Sequence, residues 1–101
     1  MRLSGPEKLA LADALKDVSF PTYLFGSRCD DGRRGGDVDV LILGRNLTDA
    51  QRLDLELKVA ARFQSVCDEK IDVVVLDLSR LTPAEQAFLS VIGDRRFPLA
   101  A

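Results

Sequence analysis

The chain has 101 residues, of which 47% are hydrophobic and 30% charged, and it carries a net charge of −2. These values predict one soluble globular domain over residues 1–101. An acidic chain lacks the basic excess that neutralises a long nucleic acid, so we expect no such partner. The sequence shows neither a signal peptide nor a membrane-spanning run, which favours a cytoplasmic protein with no membrane contact.

Several kinds of catalysis are excluded by what the chain lacks. There is no histidine, and the two cysteines are Cys29 and Cys67. Zinc sites need several nitrogen or sulfur ligands, and serine or cysteine nucleophiles need a histidine base. In a cytosolic protein we expect both thiols to stay reduced. Acid–base chemistry therefore falls to carboxylates.

A helix is predicted first, from Ser4 to about Asp17. Ser4 and Glu7 form a capping-box pattern, in which the N-cap hydroxyl and the glutamate each bond the other's backbone N–H. Apolar residues spaced by four and three positions mark its buried stripe: Leu11, Leu15 and Val18. A short strand over Phe20–Phe25 follows, with Pro21 near its start.

Beyond Gly26 we predict a short helix, then a strand over Asp37–Leu43. A long helix opens at Thr48, capped with Gln51, and ends near Ser65. The apolar residues expected on its packing face are Leu53, Leu57, Ala60 and Ala61. A strand over residues 70–76 is rich in β-branched side chains.

The last predicted helix opens at Thr82, with proline at its first position, and ends near Gly93. A final extended piece is predicted at Phe97–Leu99. The fold class that follows is α+β, with a small mixed β-sheet flanked by helices.

The stretch "LFGSRCDDGRRGGDVDVLIL" holds the main candidate site. Asp37 and Asp39 are two positions apart on a predicted strand, so their side chains share one face, with Cα atoms roughly 6.5–7 Å apart. Buried carboxylates are costly unless their charge is offset. Two carboxylates at this separation can converge on a pair of metal ions. The simpler interpretation is solvated charge at a strand end.

A third carboxylate would complete such a site, and "KIDVVVLD" offers Asp72 and Asp77. The two differ in parity and so face opposite sides of the strand. We prefer Asp72, which starts its strand as Asp37 and Asp39 start theirs, and interpret Asp77 as a turn residue. A parallel pairing brings Asp72 close to the other two, whereas an antiparallel pairing places it at the far end.

The turn after the first strand suits an anionic ligand. Glycine at Gly26 lets a ligand approach the backbone closely, and Ser27 offers a hydroxyl and N–H groups suited to phosphate. Nearby arginines can add positive charge against a triphosphate: Arg28, Arg33 and Arg34. The alternatives are a helix cap at Ser27 and ordinary surface charge at the arginines. Tyr23 is interpreted as core packing rather than base stacking.

Gly26-Ser27, a nine-residue gap, and Asp37-Val38-Asp39 with apolar flanks resemble the signature of the DNA polymerase β-like nucleotidyltransferase superfamily. The small size, "GSR" and "KIDVVVLD" resemble its minimal nucleotidyltransferase branch. This resemblance implies that Asp37, Asp39 and Asp72 bind two Mg²⁺ and act in catalysis. It also implies that Gly26, Ser27 and Arg28 bind the nucleotide, with ATP as substrate.

The same resemblance implies a toxin–antitoxin pair. Members of this branch are often encoded beside a helical HEPN-type toxin, and the minimal transferase can inactivate that toxin by transferring AMP to one of its tyrosine hydroxyl groups. Two alternatives remain open: an antitoxin that acts by contact alone, and a transferase acting on a small molecule or an RNA end. The loop "RCDDGRRGG" departs from the family pattern by carrying two extra aspartates and no proline.

Overall fold

The computed structural model describes residues 3–26 and 37–99. Within these ranges the chain forms α1 (Gly5–Leu15), β1 (Thr22–Phe25), β2 (Val38–Gly44), α2 (Asp49–Val66), β3 (Ile71–Asp77), α3 (Pro83–Ile92) and β4 (Arg96–Leu99). The short helix predicted after Gly26 lies outside the described residues. The first strand begins two residues later than predicted, and the final extended piece is a fourth strand.

The strands form one mixed sheet in the order β3-β2-β1-β4. β1 pairs antiparallel with both β2 and β4, whereas β2 and β3 are parallel. Parallel neighbours need a crossover connection, and α2 supplies it. In the described residues, no helix is both long and apolar enough to cross a bilayer.

The two faces of the sheet are covered by different helices. On one face, sheet residues Leu24, Val40 and Ile42 pack with α1 and α2. The predicted α1 stripe lies there: Leu11, Leu15 and Val18 are all buried. On the other face, Leu41, Leu43 and Leu76 pack against Ile92 and the rest of α3. The predicted small mixed sheet flanked by helices is confirmed.

Each helix begins at a residue that the sequence identified. Ser4, Thr48 and Thr82 are the N-caps, and each forms a complete capping box with the residue three positions later. Such caps typically stabilise a helix by about 1 kcal/mol. Gly93 ends α3 as expected, with a positive φ of 50° and its N–H bonded to the carbonyl of Leu89.

The predicted packing face of α2 was wrong in its leading residues. Leu53 and Leu57 are 54% and 59% exposed, while Val59 and Phe63 are buried. The helix carries two apolar stripes, and Leu55 starts the second, about 200° around the axis from Leu53. The buried stripe ends in Phe63, the largest fully buried side chain of the described residues. The stripe that contains Val59 and Phe63 therefore packs against the sheet, and Leu53 and Leu57 remain in solvent.

Asp77 joins the two loops at the C-terminal ends of β2 and β3. Its fully buried carboxylate accepts hydrogen bonds from the backbone N–H groups of Asn46 (3.0 Å), Leu47 (2.9 Å) and Ser79 (2.9 Å). The Ser79 hydroxyl also donates to it. This hydroxyl, together with the three N–H groups, holds the pKa of Asp77 well below its usual range, against the effect of burial. Asp77 is thus the turn residue that parity indicated.

β3 is an edge strand, and Arg52 of α2 occupies part of its open edge. The Nε and Nη2 atoms of Arg52 donate to the carbonyl of Val75 at 3.1 and 2.9 Å. Nη2 also contacts Glu85 of α3 at 2.8 Å. Because open strand edges template pairing with other chains, Arg52 both links two helices and shields this edge.

Replacing Arg52 with alanine is expected to lower stability by about 1–3 kcal/mol, because Glu85 and the Val75 carbonyl both lose their partner. We also expect concentration-dependent self-association through the uncovered edge. Urea unfolding and light scattering measure the two effects. Arg62→Ala is the matched control, since Arg62 pairs with the exposed Asp17 and such pairs contribute little. Equal effects of both substitutions would contradict the edge role.

Candidate active site

The parallel pairing of β2 and β3 brings two of the predicted site residues together. Asp39 and Asp72 are direct Cα partners in the register of the two strands. Partners on neighbouring strands are roughly 4.8 Å apart and their side chains point to the same face. Asp39 is half-buried and Asp72 is exposed. The sequence left the direction of this pairing open, and the parallel arrangement places the two carboxylates side by side.

Local sequence explains why Asp39 faces this side. Val38 and Val40 flank it, are fully buried and point to the α1–α2 face, so alternation turns Asp39 to the other face. The β2 residues beyond Val40 are all buried, so the carboxylates stand at the N-terminal ends of β2 and β3. The charges thus sit where the sheet meets solvent.

Asp37 lies one residue before β2 and is half-buried. Within residues 3–26 and 37–99, no three Asp, Glu, Cys or His side chains are grouped closely enough to hold a metal ion. The structure therefore joins Asp39 and Asp72 but does not bring Asp37 into a closed three-carboxylate cluster. Mg²⁺ prefers oxygen ligands and commonly binds through one or two carboxylates together with substrate phosphates. The donor set of Asp39 and Asp72 fits that requirement.

Gly26 stands directly against the Asp39 carboxylate. It follows β1 with a φ of 76°, in the left-handed region that glycine adopts at little cost. A Cβ built at this position would overlap Oδ2 of Asp39 and lie 3.1 Å from its Cγ. The missing side chain therefore lets the Asp39 carboxylate lie against the backbone of the turn. Ser27 and the arginines predicted to contact phosphate, Arg28, Arg33 and Arg34, lie outside the described residues.

Aromatic residues border the acidic pair. Phe25 is the Cα partner of Asp39, and its ring meets that of Phe88 edge-on, with centroids 5.5 Å apart. Tyr23 is half-buried and packs with the α3 core, as its core-packing interpretation predicted. The guanidinium carbon of Arg96 lies 4.4 Å from the Tyr23 ring centroid. Arg96 was not among the predicted site residues, because no local sequence pattern indicates that the last segment pairs with β1.

No protein-family profile matches the chain, and no curated protein does. Solved structures do resemble it. A crystal structure of a toxin–antitoxin with AMP-PNP has a TM-score of 0.63 at 20% identity, covering 93% of this chain and 73% of that one. A mutant of the toxin–antitoxin MntA-HpeT gives 0.62 at 19%, with 93% and 72% covered. A structure from Shewanella oneidensis gives 0.59 at 18%, with 98% and 73% covered.

At these identities the likeness establishes a shared fold. The chain has the small mixed sheet and flanking helices of those structures over nearly its whole length. This agrees with the polymerase β-like nucleotidyltransferase fold expected from the sequence motif. Fold alone does not determine activity, so function is argued from the site.

Proposed function

We propose that this chain is a nucleotidyltransferase that moves AMP from ATP to a hydroxyl group of a partner protein. The observation that carries the proposal is the in-register Asp39–Asp72 pair standing beside the Gly26 turn. Carboxylates at adjoining strand ends supply oxygen ligands for metal, and the glycine lets the Asp39 carboxylate lie directly against the turn that follows β1. The nucleotide-bound toxin–antitoxin of similar fold supports this use of the site.

In this proposal Asp39 and Asp72 would hold two Mg²⁺ together with the phosphate oxygens, Asp37 would join them from the position before β2, and Gly26, Ser27 and Arg28 would bind the phosphates of ATP. The metal ions, when bound, neutralise phosphate charge and make the attacking hydroxyl more acidic. Asp39 and Asp72 fix the geometry, because both project from paired strands rather than from loops. The rest of the catalysis is positioning of the two reactants.

The chemical step forms one bond and breaks another at the α-phosphorus of ATP. The acceptor oxygen attacks this phosphorus while the bond to the oxygen bridging to the β-phosphorus breaks, and pyrophosphate leaves. The proton of the acceptor hydroxyl passes to the carboxylate of Asp72. Asp72 is the more accessible of the pair, because its exposed position lets the incoming hydroxyl reach it.

The biological role proposed is that of an antitoxin in the cytoplasm, acting on a helical HEPN-type toxin. Structures of similar fold are of toxin–antitoxin complexes, which supports a toxin as the partner. The exposed leucines of α2, Leu53 and Leu57, favour a second possibility, neutralisation by contact alone. An exposed apolar pair of this kind is a common contact element, although scattered surface leucines also occur without function.

Transfer is tested with α-labelled ATP, Mg²⁺ and the protein encoded beside this chain. We expect label on the partner with the wild type and none with Asp39→Ala, while circular dichroism shows both to be folded. Asp68→Ala, at an exposed position after α2, is the matched control and should keep full transfer. Absence of label from the wild type, with both forms still binding and neutralising the partner, would identify a contact antitoxin instead.

A further inference from the structure

A basic residue stands in the same row of the sheet as the acidic pair. Arg96 is the Cα partner of Phe25, which in turn is the partner of Asp39. Directly paired residues point to one face, so the row across four strands reads Asp72, Asp39, Phe25 and Arg96. With strands roughly 4.8 Å apart, the Cα atoms of Asp39 and Arg96 are about 10 Å apart. The carboxylates stand at one end of the row and Arg96 extends from the other, with its guanidinium over Tyr23, two positions before Phe25 on β1.

Arg96 is held in a defined position but is not neutralised by the described part of the chain. Its guanidinium lies over the Tyr23 ring, an arrangement that orients the cation while leaving its in-plane N–H groups able to donate. Within residues 3–26 and 37–99, its charge has no carboxylate partner in an ion pair. The ring contact and the lack of a carboxylate partner among these residues leave the guanidinium available to an anion.

The adjacent arginine has a different arrangement. Arg95 is exposed, and its Nη2 donates to the carbonyl of Val91 at 2.8 Å, at the C-terminal end of α3. Arg95 thereby caps the C-terminal end of α3. It lies one residue before Arg96 and is not a member of the row that contains Asp39 and Asp72. Two neighbouring arginines of equal charge thus differ in orientation, which provides a matched pair for experiment.

Gly26 lies at the end of β1, between the strands that carry Asp39 and Arg96. A triphosphate that crosses this turn with its α-phosphate at the carboxylates extends its remaining phosphates toward β4. We propose that Arg96 binds the β- and γ-phosphates of the nucleotide and the pyrophosphate that leaves. The assignment rests on the proposed function, because it takes ATP as the ligand. Arginine suits the task, since its planar N–H groups bind phosphate oxygens in pairs.

Direct binding measurements test this assignment without requiring transfer or a partner protein. Titration calorimetry compares ATP and AMP, both with Mg²⁺, on the wild type, Arg96→Gln and Arg95→Gln. We expect Arg96→Gln to weaken ATP binding by about tenfold or more and AMP binding by less than about twofold. Arg95→Gln should leave both affinities unchanged. Thermal unfolding checks that each variant is folded.

The outcomes separate the two proposals. If the wild type binds ATP and Arg96→Gln binds it equally well, Arg96 has no phosphate role and the nucleotidyltransferase proposal stands. A uniform loss of ATP and AMP affinity would also overturn the assignment, since it would indicate a structural effect on the whole site. A wild type that binds no ATP would overturn both proposals together.

Discussion

Replacing Gly26 with alanine is expected to reduce nucleotidyl transfer by about 100-fold or more. The new Cβ would overlap Oδ2 of Asp39, so the carboxylate has to rotate or the turn has to move. Displacing a reacting or metal-binding group by about 1 Å costs on the order of 100-fold in rate. The expected signature is a fall in transfer from labelled ATP while the chain remains folded by circular dichroism.

Gly93→Ala is the control that separates steric displacement from backbone strain. Gly93 also has a positive φ, of 50°, but a Cβ there would meet only a carbonyl oxygen 3.7 Å away. Both substitutions place alanine at a positive φ, and only Gly26→Ala intrudes on the acidic pair. We expect Gly93→Ala to lose some stability and to retain transfer per folded molecule. Full transfer by Gly26→Ala would show that the proposed reaction does not need Asp39 to be held against this turn.

Asp77→Asn is expected to be the most destabilising conservative change in the described residues, with a fall in Tm of about 10 °C or more. The carboxylate accepts three backbone N–H groups and a hydroxyl, whereas an amide replaces one of its oxygens with a competing donor. The new amide group would face the N–H of Leu47 if it replaced Oδ2, and the N–H of Ser79 if it replaced Oδ1, so at least one of these donors would lose its acceptor. Differential scanning calorimetry measures the change.

The pH dependence provides a second test of Asp77. Its folded-state pKa is depressed relative to the ordinary value of 3.8, so the stability it contributes is present above that value. It is lost as the pH falls from about 4 toward the lower folded-state pKa. The wild type should therefore lose stability in this acidic window, and Asp77→Asn should lose less. Asp68→Asn, at an exposed position, should behave as the wild type; an unchanged acid slope in Asp77→Asn would contradict the assignment.

Local chemistry made the helix starts and strand parities predictable. Each capping box depends only on two residues three positions apart, so the sequence around Ser4, Thr48 and Thr82 is enough to predict where each helix begins. The opposite orientations of Asp72 and Asp77 follow from alternation within one strand. Packing of α2 was less predictable, because two apolar stripes coexist on that helix and only the sheet beneath decides which one is buried.

Features that depend on strand pairing were not accessible from the sequence. The approach of Asp72 to Asp39 requires the parallel direction and the register of β2 and β3, which no nearby residue specifies. The position of Arg96 requires that β4 pair with β1, although seventy residues separate Arg96 from its partner Phe25. The motif predicted the aspartates of the site but not Arg96, and strand pairing determined which of these residues lie in one row.

Asp39 and Asp72 stand side by side only when β2 and β3 pair in parallel and in this register. A slip of β3 by one residue would place Ile71 or Val73 beside Asp39 and turn Asp72 toward the opposite face. The two carboxylates come from strands joined only through α2, so neither can find the other until this crossover is assembled. Catalytic competence should consequently appear late in refolding and disappear early under denaturant, before helix content declines.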